Sequence, residues 1–124
     1  RQMCIRDSPG ATEHKRYARQ GAGPELRLSD GRFYAHRGWT MFIAHIAERR
    51  DIPYQMMVKR IGATNAAVVQ VTGTGAKTTA LSVPVRYIHS PQGIVRKSDV
   101  EAAVRLTAAV IEEASSFDDQ KDDF

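Results

Sequence analysis

The sequence is poor in cysteine, with Cys4 as the only thiol among 124 residues. A single thiol cannot form an intramolecular disulfide, so the disulfide-braced folds of small secreted domains are excluded. Long apolar runs are also missing: none approaches the roughly 18 residues that a membrane-spanning helix needs, and no secretory signal opens the sequence. We therefore expect a cytoplasmic protein that works in a reducing compartment without a membrane partner.

The common catalytic motifs are missing as well. The sequence has no His-x-x-x-His pair, no paired-cysteine motif and no glycine-rich phosphate loop of the usual form. The GAGP segment at 21–24 precedes a predicted strand instead of opening a helix, so it is no nucleotide-binding fingerprint. Four histidines and several serines give only chance pairs, without a nucleophile elbow. The residue pattern alone therefore identifies no catalytic centre.

The chain divides into three segments of different composition. Residues 1–8, RQMCIRDS, match the translation of a DNA end used in transposon-based sequencing libraries, so we interpret them as a scar and exclude Cys4 as a nucleophile. Residues 9–115 have the length of one small α/β domain. Residues 116–124 carry four aspartates against one lysine and are predicted to be a disordered acidic tail.

Apolar periodicity predicts alternating strands and helices. Residues 25–28 alternate as a strand, 54–59 are predicted as a second strand, 66–72 as a short helix, and 78–85 as a strand covered on both faces. A stripe at helical spacing lies between the first two strands. It consists of Trp39, Phe42, Ile43, Ile46 and Ala47. This order is typical of an α/β fold with a mixed, mostly parallel sheet flanked by helices.

The last predicted helix has the clearest sequence signal. Ser98-Asp99-Val100-Glu101 matches a capping box, in which the serine caps an early N–H and the glutamate bonds back to the serine N–H. An apolar stripe follows as far as about Ser115. Its members are Val100, Ala103, Val104, Thr107 and Ile111. We therefore expect this face of the helix to be buried.

Two loops, at 60–65 and 86–93, follow predicted strands. Ligand sites in mostly parallel sheets lie in loops at the carboxyl ends of strands, so we expect both loops to contribute to one site. His89, in the second loop, could bind a metal ion through one ring nitrogen. A histidine that forms only local hydrogen bonds is the simpler interpretation, because one histidine does not make a metal site.

Five segments of the chain match a known family in composition and order. They are GAGP at 21–24, IPYQ at 52–55, GATNA at 62–66, VPVRYIHSP at 83–91 and DVE at 99–101. In this order they resemble the closing part of the TET aminopeptidases, which are dinuclear metalloaminopeptidases and include proteins once labelled endoglucanases. The likeness covers roughly residues 9–115, and its most specific part is Arg-Tyr-Ile-His-Ser-Pro.

The resemblance implies a fold, a reaction and a ligand set. Residues 9–115 would be the C-terminal part of an incomplete, zinc-peptidase-like catalytic domain from a protein that assembles into a dodecamer. Two divalent metal ions, zinc or cobalt, would activate a water that removes the N-terminal residue of peptide substrates. His89 would be the last metal ligand. The other ligands and the general-base glutamate would lie upstream of residue 9, so the fragment alone would be inactive.

Thr64 and Asn65 match the family at a position where the resemblance implies substrate binding. The family commonly has Thr-Asp there, so Asn65 removes a negative charge near the metals. This departure bears on the preference for acidic or neutral N-terminal residues. Without the resemblance, helix capping would explain both residues, since threonine and asparagine are good caps.

A non-catalytic function is the alternative. The net charge of +4 together with the acidic tail indicates a basic middle, which fits an α/β binding or assembly module with a basic surface. Charge alone is a weak guide, and the one short basic cluster at 14–19 does not make a nucleic-acid site, so no nucleic-acid partner is expected. A glycosidase is less favoured, because the loops 60–65 and 86–93 contain no carboxylate.

Overall fold

The computed structural model describes residues 18–60 and 62–118, so the predicted scar at 1–8 lies outside the described residues. The central strand β1 (Glu25–Asp30) has neighbours along both edges. Strand β3 (Gln55–Val58) pairs with it in parallel, whereas β2 (Phe33–Tyr34) and β4 (Ala80–Ser82) pair antiparallel along the opposite edge. A separate hairpin joins β5 (Val85–Arg86) to β6 (Ile94–Val95).

The mixed α/β class predicted from the sequence is confirmed, but the sheet is not mostly parallel in the part of the chain described. Only the pair β1–β3 is parallel. Strand β2 follows β1 after the two residues Gly31 and Arg32, and so short a connection can only form an antiparallel pair. Strand β4 then returns along β1 from Arg27 to Glu25. The order of strands and helices along the sequence does not show that β2 and β4 run antiparallel to β1.

Helix α1 (Arg37–Arg49) buries the predicted stripe. Phe42, Ile43, Ile46 and Ala47 are buried and Trp39 is partly buried, as their helical spacing predicts. The helix begins where Nδ1 of His36 accepts a hydrogen bond from the N–H of Trp39 at 3.2 Å. Histidine is not among the usual N-cap residues, so the sequence did not indicate this cap.

Helix α3 (Lys97–Glu113) buries a different face from the one predicted. Its buried residues are Asp99, Ala102, Leu106 and Ala109. The predicted stripe was wrong: Val104 and Ile111 are 64% and 73% exposed. The helix carries two apolar stripes, and the one built from small alanines packs against α1. Close approach between two helices favours small residues, although larger side chains give the stronger sequence signal.

The predicted capping box was also wrong. Helix α3 begins at Lys97, its N-cap is Arg96, and no side chain caps it. Asp99 turns inward instead, where its carboxylate accepts backbone hydrogen bonds from Gly21 at 2.8 Å and Gly23 at 3.0 Å. Asp99 therefore ties the helix to the segment before β1. A carboxylate near a helix N-terminus is favourable for the helix dipole as well.

Residues just beyond position 115 are packed against the domain. Ala114–Ser116 form a 3₁₀ turn, and the ring of Phe117 packs 5.1 Å from that of Trp39 and 5.3 Å from that of Phe42. The disorder predicted for the rest of the acidic tail stays a prediction, since 119–124 lie outside the described residues. Within 18–60 and 62–118, no helix is long and apolar enough to cross a membrane.

Candidate functional site

The loop after β3 is anchored to the carboxyl end of β1. The N–H of Gly31 donates to the carbonyl of Gly62 at 2.9 Å, and the Thr64 hydroxyl donates to Oδ2 of Asp30 at 3.0 Å. A Cβ built on Gly31 would lie 2.9 Å from the Gly62 oxygen, so a side chain there would push the two segments apart. Thr64 and Asn65 are thereby held beside the turn between β1 and β2.

Neither Thr64 nor Asn65 caps the short helix α2 (Ala66–Val69) with its side chain. The Thr64 hydroxyl is directed to Asp30, and Asn65, at the N-cap position, makes no capping hydrogen bond from its side chain. Asn65 is exposed, while Thr64 is half-buried. Helix capping therefore does not account for these two side chains, although their contact with a substrate stays a prediction.

Behind this loop, three charged side chains are buried along β1. Arg27 lies between two carboxylates, with Nη2 3.7 Å from Oε2 of Glu25 and Nη1 3.6 Å from Oδ2 of Asp30. A register shift between Arg27 and Ser29 places Asp30 on the same face as Arg27. Burial raises the pKa of Glu25, although the positive charges of Lys59 and Arg27 oppose the shift. The alternation of polar and apolar residues predicted the strand β1, but it did not predict that the face with the charged side chains is buried.

His89 lies in the turn that joins β5 to β6. Its side chain is exposed, and both Tyr87 and His89 have positive φ angles, of 60° and 61°. Residues other than glycine adopt this left-handed conformation at a cost, and such positions cluster at functional sites. The exposed imidazole is accessible to a ligand rather than packed among apolar side chains, which a ligand role requires.

The two predicted loops leave the sheet from opposite ends of β1. Because β4 runs antiparallel to β1, its last residue, Ser82, lies opposite Glu25 at the amino end of β1. The hairpin of His89 follows from there, whereas Thr64 is bonded to Asp30 at the carboxyl end. Six strand residues span about 17 Å. The loops of His89 and Thr64 therefore leave the sheet from opposite ends of β1, and their contribution to one site stays a prediction.

A dinuclear metal centre needs more donors than the described residues supply. Over 18–60 and 62–118, no group of three or more His, Cys, Asp or Glu side chains is placed to hold a metal ion. His89 has the chemistry of a metal ligand, with an exposed imidazole. It fits such a centre as one donor and cannot form one without further ligands.

Comparison with known proteins places the fold in one family. Residues 2–106 match the model of the M42 glutamyl aminopeptidase family. The lysyl aminopeptidase of Pyrococcus furiosus is 33% identical over 78 residues, which are 62% of this chain and 22% of that protein. The aminopeptidase APDkam598 from the archaeon Desulfurococcus kamchatkensis has a TM-score of 0.81 at 36% identity, covering 86% of this chain and 31% of that chain. The TET1 peptidase of Pyrococcus horikoshii has a TM-score of 0.68 at 33% identity, covering 75% and 27%.

These matches cover most of this chain and a minor part of each relative. The chain spans 30% of the length of its relative from Acetivibrio thermocellus and 28% of that from Escherichia coli. The family match begins at residue 2 and so includes most of the segment interpreted as a scar, an interpretation that stays a prediction. The match covers far more than half of the sequence, and the chain therefore belongs to the M42 glutamyl aminopeptidase family.

Proposed function

We propose that this chain is the C-terminal part of the catalytic domain of an aminopeptidase that removes N-terminal residues from peptides with two bound metal ions. The family match and the aminopeptidase relatives support the reaction. One structural observation carries the assignment of a ligand: the exposed imidazole of His89 in a left-handed turn at the end of a hairpin. The proposed metals are zinc or cobalt, both of which imidazole binds well.

In this proposal His89 supplies one metal ligand. The bound ions would provide an activated water and stabilise negative charge on the scissile carbonyl oxygen. The remaining ligands and the general base belong to other parts of the complete enzyme, since the described residues contain no group of three or more His, Cys, Asp or Glu side chains placed to hold a metal ion. We therefore expect the 124-residue chain alone to bind divalent metal weakly and to hydrolyse nothing.

We further propose that the complete enzyme forms a homo-oligomer. A solved relative is described as a dodecamer, and another as able to assemble into a tetrahedron or a large octahedral shell. The cytoplasmic location and the absence of nucleic-acid and membrane partners stay predictions from the sequence.

The test uses the complete polypeptide that contains this chain. It is expected to hydrolyse aminoacyl-anilides, to lose this activity with a chelator, and to regain it when zinc or cobalt is restored. Hydrolysis that persists in the chelator would contradict the proposal. No hydrolysis, combined with salt-sensitive retention on nucleic acid, would favour the non-catalytic binding module.

His89→Ala tests the ligand assignment. The variant is expected to hold about one metal ion where the wild type holds two, because the exposed imidazole contributes to the site and little to the fold. His45→Ala, at a half-buried position on α1, is the matched control and should keep both ions. Metal content by mass spectrometry together with the melting temperature separates loss of a ligand from loss of the fold.

A further inference from the structure

The hairpin that carries His89 is too short to be stable on its own. Its two strands pair only through Val85 with Val95 and Arg86 with Ile94. An isolated two-stranded hairpin is marginal in water even when it is longer. Its turn also holds Tyr87 and His89 in left-handed conformations, which are unfavourable for residues other than glycine. Contacts from outside the hairpin must therefore fix the position of the imidazole.

Gln20 makes such contacts at the base of the hairpin. Its side-chain nitrogen donates to the carbonyl of Ile94 on β6 at 2.6 Å and lies 3.5 Å from the carbonyl of Pro84, just before β5. A side-chain amide nitrogen has two hydrogens, so one group can serve both strands. Gln20 thereby links the two chain segments that enter and leave the turn of His89.

The segment that contains Gln20 is in turn fixed to the sheet and to α3. Gln55, on β3, bonds both backbone groups of Arg19, accepting from its N–H at 2.8 Å and donating to its carbonyl at 3.0 Å. Asp99 accepts from Gly21 and Gly23 on the other side of Gln20. The backbone of Gln20 thus lies between two anchored neighbours. Because these neighbours are fixed, the hydrogen bonds of the Gln20 side chain restrict the movement of the hairpin.

We propose that Gln20 is a positioning residue for His89: by closing the base of the β5–β6 hairpin, it holds the imidazole where the metal centre needs it. This inference rests on the proposed metal-ligand role of His89. Gln20 is half-buried and its side chain bonds the backbone of the hairpin, so it acts on His89 through that backbone. Groups that orient a metal ligand typically change metal affinity about 10- to 100-fold when removed.

The test compares variants of the complete enzyme. Gln20→Leu removes both N–H donors of the side-chain amide while keeping a similar volume. Gln20→Glu keeps the side-chain length but replaces these donors with carboxylate oxygens, which cannot donate to the two carbonyl oxygens. Gln70→Leu, at the C-cap of α2, is the matched control. Cobalt affinity is measured by calorimetry on metal-depleted protein, and hydrogen exchange of the β5 and β6 amides is followed without metal.

Both Gln20 variants are expected to bind cobalt about tenfold more weakly and to exchange the hairpin amides faster, with α1 and β1 unchanged. Gln70→Leu should match the wild type. In a His89→Ala background, Gln20→Leu should cause no further loss of affinity, because Gln20 acts through His89.

Cobalt affinity within twofold of the wild type in folded Gln20 variants would overturn the inference, as would an equal loss in Gln70→Leu. A wild-type enzyme that binds no metal and cleaves no aminoacyl-anilide would overturn the proposed function, and this inference with it. The two failures are distinguishable, because only the second involves the unaltered protein.

Discussion

Removal of the Asp99 carboxylate should destabilise the fold strongly, because two backbone donors lose their partner. Asp99 is only 1% exposed and accepts from Gly21 and Gly23. A hydrogen bond to a charged group contributes about 1.5–3 kcal/mol net, and a buried donor left unpaired costs a similar amount. The Gly23 bond is buried and the Gly21 bond only partly so. For Asp99→Ala we therefore expect a loss of about 3–4 kcal/mol, a large share of the 5–15 kcal/mol typical of a domain.

The assay is urea unfolding of the 124-residue chain, followed by the fluorescence of Trp39. This is the only tryptophan, and it packs against the rings of Phe42 and Phe117. Glu101→Ala is the matched control in the same turn, where an exposed ion pair with Lys97 at 3.4 Å contributes less than about 1 kcal/mol. The reasoning is refuted if Asp99→Ala costs less than about 1 kcal/mol, or no more than Glu101→Ala.

Two further stability predictions follow from buried groups. Leu106→Ala should lower the free energy of unfolding by about 2–5 kcal/mol, because Leu106 is fully buried. Val104→Ser, on the exposed face, should change it by less than about 0.5 kcal/mol. Similar effects of the two substitutions in urea unfolding would contradict the packing of α3. Burial raises the pKa of Glu25 in the native state above its ordinary value of 4.5, so the native state binds the proton more tightly and loses stability relative to the unfolded chain as the pH rises through that range. Glu25→Gln should therefore gain stability relative to the wild type as the pH rises above 4.5, and a difference independent of pH in the same assay would count against this assignment.

Large apolar residues made α1 predictable, while α3 shows where such patterns mislead. In α1 one stripe contains every large apolar side chain except Met41, so the period favours a single buried face. In α3 the bulky stripe of Val100, Val104 and Ile111 competes with the smaller stripe through Ala102 and Leu106. The outcome depends on packing against α1 and on the bonds from Asp99 to glycines 76 and 78 positions earlier. The apolar periodicity within α3 gives no information about the packing on α1 or about the hydrogen bonds of Asp99.

The sequence supplied candidate residues for the site, whose roles stay predictions, but not the geometry of the loops that carry them. The resemblance singled out His89, Thr64 and Asn65, and the family it named is confirmed. Their relative placement depends on the direction of β4, which is set by pairing with β1 between positions about 55 apart along the chain. The sequence pattern of a buried strand is the same for either direction. The sequence did not indicate a role for Gln20, because a single glutamine before a strand belongs to no recognisable motif.

The separation of the two loops yields a prediction about substrate length. If the residue to be cleaved lies at His89 and each loop stays at the end of β1 where it leaves the sheet, an extended peptide would have to run along β1, about 17 Å, before it reached Asn65. At about 3.4 Å per residue, contact begins roughly five residues along the peptide.

Asn65→Asp in the complete enzyme should therefore leave the KM for single-residue anilides unchanged. For peptides of six or more residues that carry a lysine near the sixth position, it should lower the KM about two- to fivefold, as expected for one exposed ion pair. Asn65→Gln, which adds no charge, is the control. A change in KM for single-residue anilides would mean that this loop reaches the cleaved residue.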